Sequence, residues 1–476
     1  MSSPKTHTNL LRLALPLLAT AALFATGCSN GSMSSSSTQG ATTGPAFVIG
    51  TDAPLASVVS FPVEVESVVL TGATNSNNLV SGSPTVDFAR FNGLQTHIDM
   101  NDIDTGSYTG VNITLGAASI GYLNTGTTPY SIATMAATYP SSATTYTVSI
   151  PLDKTLTVAT AGTTDGLRMD FDLAKSIAVD GTGAITGAVT PTIDVHVVSR
   201  TDQGGHIDTL IAGVLSVNSG AGTFVVQGPH GEQFNITTNG NTDWDGGATI
   251  GALNTSSIVE ISGSLDPADQ TLDADEISIL SDTGFYAGGL VTYVTPTTGA
   301  ATDMQFYVRH VLPSELSAVP LGGIANVSIT GNEKYGIYWM HNALTNLLFN
   351  DTSLTPGQEI SVGGPDPTAS PFTVKRIHLR NWGYNGTIVA GSRNAAQGTF
   401  QMNVKGFAGQ VIPSPITVYL GTGADFRYGF GAFSDLTDNA SIRVVGILLK
   451  FNGQTVLVAR HIDGLTLTDT AVTAWQ

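Results

Sequence analysis

Apolar and polar residues alternate along most of this chain with the two-residue period of a β-strand. The segment LRMDFDL (167–173) places its apolar side chains on one face and Arg168, Asp170 and Asp172 on the other, which we expect to be solvated. The segment VEVES (63–67) alternates in the same way. The sequence therefore predicts an all-β protein, in which SELSAV and MHNALTNLLF are the nearest helical candidates.

A D-x-G-x-Y motif, formed by Asp104, Gly106 and Tyr108, lies directly before an alternating strand. Its spacing resembles the tyrosine corner of immunoglobulin-like sandwiches. The resemblance implies that the Tyr108 phenol donates a hydrogen bond to the preceding backbone; the alternative is an ordinary turn followed by an interior tyrosine. Gly110 stands where such sandwiches carry a cysteine, which excludes their inter-sheet disulfide.

Four separated blocks extend this resemblance over residues 45–200. They are TDAP (51–54), VEVESVVL (63–70), GSYTGVNITL (106–115) and GLRMDFDLAKSI (166–177). Together they resemble an uncharacterised family of bacterial lipoprotein domains with a carbohydrate-binding-like β-sandwich. The resemblance implies an immunoglobulin- or prealbumin-like sandwich over 45–200, and it brings no catalytic residues.

The remainder of the chain repeats. The stretch GVLSVNSGAGTFVV (213–226) recurs as GTIVAGSRNAAQGTFQM (386–402), with a degenerate copy between them. Units of this length suit a small closed β-barrel rather than a solenoid turn. The first and third copies resemble a second uncharacterised bacterial family of short β-barrel repeats. We expect three barrel-like units, at 209–282, 284–381 and 384–469.

The N-terminus reads as an export signal. Lys5 and Arg12 precede an apolar run, from 13 to 25, that is too short to span a membrane. The sequence ATGC ends at Cys28, the only cysteine, and resembles the lipobox of bacterial lipoproteins. This resemblance implies cleavage directly before Cys28 and acylation of Cys28. The alternative is a secreted protein with a free thiol.

The segment 29–44 is composed almost entirely of small and polar residues, and we expect it to be a flexible tether. Ser29 occupies the position where an inner-membrane retention signal carries aspartate, so the resemblance points to the outer membrane. Without residues 1–28, which contain Lys5 and Arg12 as their only Lys or Arg, 16 basic residues face 36 acidic ones, a net charge of −20. Such a body is repelled by nucleic acid, so no nucleic-acid partner is expected.

No recognisable catalytic or cofactor motif is present. We therefore expect that the protein has no enzymatic activity and binds no cofactor and no metal. The neighbouring carboxylates of Asp170 and Asp172 lie within a separation that glycosidases use, but catalytic pairs face each other across a cleft. Acidic loops at 99–104 and 243–245 carry hard oxygen ligands for Ca²⁺, without completing a recognised loop.

Aromatic residues follow a corresponding strand in each barrel unit. A ring beside polar side chains can stack on the apolar face of a sugar, whereas the alternative is a plug that closes one end of the barrel. The candidate ligand-binding residues are Trp244, Tyr335, Trp339, Phe426 and Tyr428.

These features predict a lipid-anchored module of the cell envelope with a binding or structural role and no catalysis. Its expected partners are the membrane, through the lipid on Cys28, and a glycan or another envelope component. Carbohydrate binding is the specific binding role that the aromatics favour. Two alternatives stay open: an envelope glycosidase or other hydrolase with a site built from loops, and a purely architectural spacer.

Overall fold

The computed structural model describes residues 43–464 except for internal gaps, which are 54–57, 73–74, 92–93, 125–130, 161–164, 181–183, 202–204, 229–232, 246–247, 267–270, 283, 313–315, 338–347, 405–411, 428 and 452. Cys28 and the tether lie outside the described residues, and so do Trp339 and Tyr428. The all-β prediction is confirmed. In the described part of the chain, no helix is both long and apolar enough to cross a membrane.

The N-terminal body is a sandwich of two sheets. One sheet has the strand order β12-β9-β1-β5, and β1 runs parallel to β9. The other has the order β2-β6-β3-β4, with β7 and β8 also paired to β6. Its elements are β1 (Thr43–Ala53), β2 (Val58–Ser60), β3 (Pro62–Gly72), β4 (Thr85–Asp87), β5 (Thr96–Asp104), β6 (Gly106–Asn124), β7 (Ser131–Ala136), β8 (Tyr146–Val158), β9 (Asp165–Asp172), α1 (Leu173–Ser176), β10 (Ile177–Val179), β11 (Ile185–Val189) and β12 (Ile193–Ser199).

The tyrosine corner forms as predicted. The Tyr108 hydroxyl donates a hydrogen bond to the carbonyl oxygen of Asp104 at 2.6 Å, and the ring is buried. Tyr108 lies near the start of β6, the strand that pairs with four others. The bond therefore fixes the entry into the central strand of this sheet.

The alternation in β3 is confirmed, since Val63 and Val65 are buried and the glutamates between and after them are partly exposed. In β9 the apolar face is also buried, but the expectation of a solvated polar face is wrong. Arg168 and Asp172 are only 9% and 4% exposed. β9 lies inside its sheet, and Asp170 on its outer face lies within electrostatic range of Arg443, far along the chain.

Three further bodies follow, each built from its own stretch of chain. The first contains β13 (His206–Asn218), β14 (Thr223–Gln227), β15 (Gln233–Thr237), β16 (Asp243–Trp244), β17 (Ile258–Asp266) and β18 (Thr271–Ser281). The second contains β19 (Phe285–Thr295), β20 (Asp303–Leu312), β21 (Ile324–Ser328), β22 (Lys334–Ile337), β23 (Glu359–Gly364), β24 (Phe372–Thr373) and β25 (Arg376–Arg380). The third contains β26 (Trp382–Ile388), β27 (Thr399–Val404), β28 (Ile416–Arg427), β29 (Ser441–Phe451) and β30 (Gln454–Gly464).

The three bodies share one pattern of strand pairing. In the third, β26 pairs with β27 and β29, and β28 runs parallel to β30 and closes a five-stranded barrel. In the first, β15 and β16 together take the place of β28 and run parallel to β18. In the second, β21 pairs with β24 and β22 with β25, again in parallel. We call these bodies barrels 1, 2 and 3.

Short 3₁₀ turns occur at Phe88–Arg90, Pro140–Ser142, Ile250–Ala252, Asp351–Ser353 and Phe433–Asp435. Of the two helical candidates, the described part of SELSAV (316–319) is a turn. Most of MHNALTNLLF lies outside the described residues.

Apolar cores continue across the boundaries between bodies. Phe47 and Ile49 of the sandwich belong to the same buried cluster as Ile207 and the core of barrel 1. Ile447 and Leu449 of barrel 3 belong to the cluster that fills barrel 2. Accordingly, the described residues fall within one compact unit. The domain boundaries deduced from the sequence stay a prediction.

Two glycines occupy the same β-bulge in barrels 1 and 3. A Cβ on Gly263 would lie 2.1 Å from the carbonyl oxygen of Asp273, and one on Gly446 would lie 2.0 Å from that of Val458. The strand register shifts beside each glycine. The close backbone approach therefore requires glycine at both bulges.

We predict that Gly446→Ala lowers the free energy of unfolding by about 3 kcal/mol, because backbone must move to admit the Cβ. Gly213→Ala is the matched control, since a Cβ there meets no atom within 4 Å. Chemical denaturation measures both variants. Equal stability of the two would show that the bulge tolerates a side chain.

Candidate functional site

The three predicted aromatics that the structure describes occupy the same position in each barrel. Trp244 is in register with Ile277, Tyr335 with Ile377 and Phe426 with Ile462. In each case the pairing is parallel, and each isoleucine is fully buried. The correspondence deduced from the sequence is therefore a structural equivalence for these residues.

Each of these rings is half-buried and packs against its own barrel. Trp244 and Phe426 contact the cores of barrels 1 and 3. The Tyr335 ring lies edge-on to Phe349 with 5.6 Å between centroids, and burial raises the pKa of its phenol. The structure thus places the three rings in three separate cores and does not bring them together as one platform.

Charged side chains are buried where the four bodies meet, although sequence reasoning did not single out this region. Buried charges occur in proteins almost only where they are paired. We call the set the charged junction, and its members are Asp208, Glu260, Arg309, Glu359, Arg380, Arg427, Arg443, His461 and Asp463.

Barrels 1 and 2 are joined by Glu260 and Arg380. The Arg380 guanidinium forms an ion pair with Glu260 and donates a hydrogen bond to the Tyr286 hydroxyl at 2.9 Å. The same Glu260 oxygen accepts a hydrogen bond from Thr209 at 2.6 Å. Glu260 is fully buried, and these two donors compensate its Oε1 oxygen for the loss of water.

Barrels 2 and 3 are joined by a second buried arginine. Arg309 lies 3.7 Å from Glu359 of its own barrel, and its guanidinium carbon lies 3.9 Å from the centre of the Trp382 ring of barrel 3. A ring face attracts a cation most strongly when both are removed from water. The Gln358 side chain adds a hydrogen bond to the carbonyl oxygen of Leu448 at 2.9 Å.

Asp208 connects three bodies. It accepts a hydrogen bond from the backbone of Gln95 in the sandwich at 3.0 Å, and Arg427 of barrel 3 lies 3.9 Å from it. Burial alone would raise the pKa of Asp208. The pairing with His206 and the charges of Arg427 and Arg460 outweigh burial and hold that pKa well below its usual range. Asp208 is therefore ionised at neutral pH.

Barrel 3 supplies a mixed cluster to the junction. Arg443 and Asp463 are in register across β29 and β30, and His461 lies 3.7 Å from Asp463. Burial raises the pKa of Asp463 to about 6, against the pull of Arg443 and Arg427. Burial, followed by the charge of Arg427, holds the pKa of His461 well below its usual range, so His461 is neutral.

The junction residues recur at one position of the barrel fold. In each barrel, one outward-facing pair of residues lies directly beside the buried isoleucine of the parallel pairing. The pair is Glu260 with Ser278 in barrel 1, Ser361 with His378 in barrel 2, and Arg443 with Asp463 in barrel 3. Barrel 1 contributes two carboxylates, whereas barrels 2 and 3 contribute all four arginines and one carboxylate each. The sequence signal was a charge inside an apolar strand, as in IVEIS and SIRVV.

The calcium candidates are engaged in local hydrogen bonds. Asp99 accepts from the backbone of Ser81 and Met100, and the Asn101 amide donates to the carbonyl oxygen of Asn78. Throughout the described ranges, no group of three or more His, Cys, Asp or Glu residues is placed to hold a metal ion.

The fold and the junction together define an all-β protein in which buried charged groups join neighbouring bodies. Two family models match parts of it: residues 45–186 match "Domain of unknown function (DUF4382)" and residues 212–278 match "Domain of unknown function (DUF5666)". Both matches are consistent with the uncharacterised domains expected from the sequence. No curated protein matches the chain.

His206 makes the junction sensitive to alkaline pH. It donates to Asp275 at 3.0 Å and lies 3.8 Å from Asp208. Burial lowers the pKa of His206, but the two carboxylates raise it further, to about 9. Its stabilising contribution is complete below the unfolded value of about 6.5 and is lost as the pH rises through about 9.

We predict that His206→Gln is less stable than the wild type at pH 6.5 by up to about 3 kcal/mol, and that this difference shrinks towards pH 10. Urea unfolding at several pH values measures it. His196→Gln is the control, because His196 pairs with Asp153 at the surface, where such a pair contributes little. A difference independent of pH would contradict the prediction.

We predict that Trp244→Ala lowers the free energy of unfolding by roughly 3 kcal/mol, because the ring packs against the core of barrel 1. Leu215→Ala in the same barrel is the control, since Leu215 is 41% exposed. Thermal unfolding of both variants is the measurement. An unchanged melting temperature for Trp244→Ala would favour an aromatic binding platform instead.

Proposed function

We propose that this protein is a non-catalytic, lipid-anchored module of the bacterial outer membrane, and that its β body serves as a rigid structural unit. The observation that carries the structural role is the charged junction. Buried ion pairs join barrel 1 to barrels 2 and 3, the stacking of Arg309 on Trp382 joins barrel 2 to barrel 3, and the hydrogen bond from Gln95 to Asp208 joins the sandwich to barrel 1. Movement of one body relative to another would remove a partner and leave a buried charge uncompensated. Such movement is therefore costly in free energy. The lipobox resemblance at Cys28 supports the anchor.

One observation favours this role over an enzyme. The carboxylates of the junction are opposed by arginines, whereas a general acid and base need access to substrate.

Carbohydrate binding is the second candidate, and it rests on the recurrence of aromatics in the barrels. Trp244, Tyr335 and Phe426 pack against barrel cores, which favours the structural role for them. A sugar platform would therefore depend on Trp339 and Tyr428.

We predict that the wild type partitions into the detergent phase and carries acyl chains on its N-terminal peptide, because multiple chains give durable membrane attachment. Cys28→Ala should remain in the aqueous phase or unprocessed, and Ser29→Ala should behave as the wild type. Phase partitioning and mass spectrometry measure both. A wild type without lipid would exclude the anchor.

The soluble Cys28→Ala body also separates the two candidate roles. A structural unit is not retained on peptidoglycan or on envelope polysaccharides. Retention that Trp339→Ala abolishes would place carbohydrate binding ahead of the structural role.

A further inference from the structure

A small cavity lies between the sandwich and barrel 1 and opens to solvent. Its volume is about 50 Å³, and its wall is formed by the end of β4, the following 3₁₀ turn, the start of β5 and the middle of β13. Phe91, Ile98 and Leu210 supply apolar surface. Since one water molecule needs about 10–15 Å³ by this measure, the cavity has room for a few heavy atoms.

Two opposite charges line this cavity without bonding to each other. Asp87 and Arg90 lie at the two ends of one turn, and no ion pair within 4.0 Å joins these two described residues. The Arg90 guanidinium lies 5.7 Å from the centre of the Phe91 ring and within electrostatic range of Asp87 and Glu359. Within the described part of the chain it has no hydrogen-bond acceptor, although Arg90 is largely buried.

Two hydrogen bonds fix the position of the Asp87 side chain. Its two carboxylate oxygens accept hydrogen bonds from the backbone of Phe61 at 2.7 Å and from the Ser60 hydroxyl at 3.0 Å. Each carboxylate oxygen has a second lone pair, so Asp87 retains accepting capacity. The cavity therefore presents a fixed acceptor and a guanidinium with unused donors.

The opposed charges select the kind of ligand. A simple anion would be attracted by Arg90 and repelled by Asp87. A simple cation would be attracted by Asp87 and repelled by Arg90. A molecule that carries both charges a few ångströms apart satisfies both groups. His97, which also lines the cavity, adds no charge, because burial lowers its pKa to about 4.

We propose that this cavity binds a small zwitterionic α-amino acid of the glycine or alanine type. Arg90 pairs with the α-carboxylate in the bidentate geometry that a guanidinium favours, and Asp87 accepts from the α-ammonium group. Phe91 and Ile98 bound the space for the side chain and restrict it to a small one. The site is independent of the lipid anchor and of any glycan binding.

The test is isothermal titration of the full chain with glycine, acetate and methylamine. Glycine should bind at least about tenfold more tightly than either fragment, because only glycine uses both charge-assisted contacts. Arg90→Gln and Asp87→Asn should each weaken glycine binding at least about tenfold. Arg393→Gln, which removes a surface ion pair with Asp438, should bind glycine as the wild type does.

Three results would overturn the proposal. These are no heat of binding with glycine, acetate binding as tightly as glycine, and glycine binding that is unchanged in both Arg90→Gln and Asp87→Asn. The comparison of glycine with its two fragments uses the wild type alone, so it decides the matter even where a substitution prevents folding.

Discussion

Charge burial at the junction is the constraint on which the arrangement of the bodies depends. Asp208 is 1% exposed and requires the sandwich backbone at Gln95 as well as Arg427 of barrel 3. Glu260 is fully buried and requires Arg380 of barrel 2. Loss of one partner from such a pair costs roughly 3–5 kcal/mol, because the remaining charge is neither solvated nor paired. Barrel 1 therefore depends on its neighbours for the partners of its two buried carboxylates, and separating the bodies would leave those charges unpaired.

The faces of individual strands could be predicted from the sequence, whereas what covers those faces could not. Alternation correctly placed Val63 and Val65 in the core, and the D-x-G-x-Y spacing correctly placed the hydrogen bond of Tyr108. The same alternation predicted wrongly that the polar face with Asp170 is solvated. A polar strand face has the same sequence pattern whether water or another body covers it, and the charge near Asp170 is that of Arg443 in barrel 3. The aromatic positions were located by recurrence, but whether a ring plugs or projects depends on neighbours that are distant in sequence. Two of them, Trp339 and Tyr428, lie outside the described residues.

The barrels separate two kinds of information. Their inward positions keep the buried isoleucines and the close backbone approach at Gly263 and Gly446. Their outward positions differ in charge, although they occupy the same place in the fold. The first set specifies a barrel, and the second specifies which barrel stands beside which. The barrels share one pattern of strand pairing, but their different outward charges disfavour the packing of one barrel in the place of another.

The position of β1 has a mechanical consequence. It is the strand that follows the N-terminal segment, and it lies inside its sheet, parallel to β9 and antiparallel to β5. A pull applied through the residues before Thr43 acts along this strand, so its hydrogen bonds to both neighbours carry the load in shear and must yield together. A strand at a sheet edge that is pulled sideways would instead release its bonds one after another. Tension on the N-terminal segment is thus borne by a strand that is hydrogen-bonded on both sides.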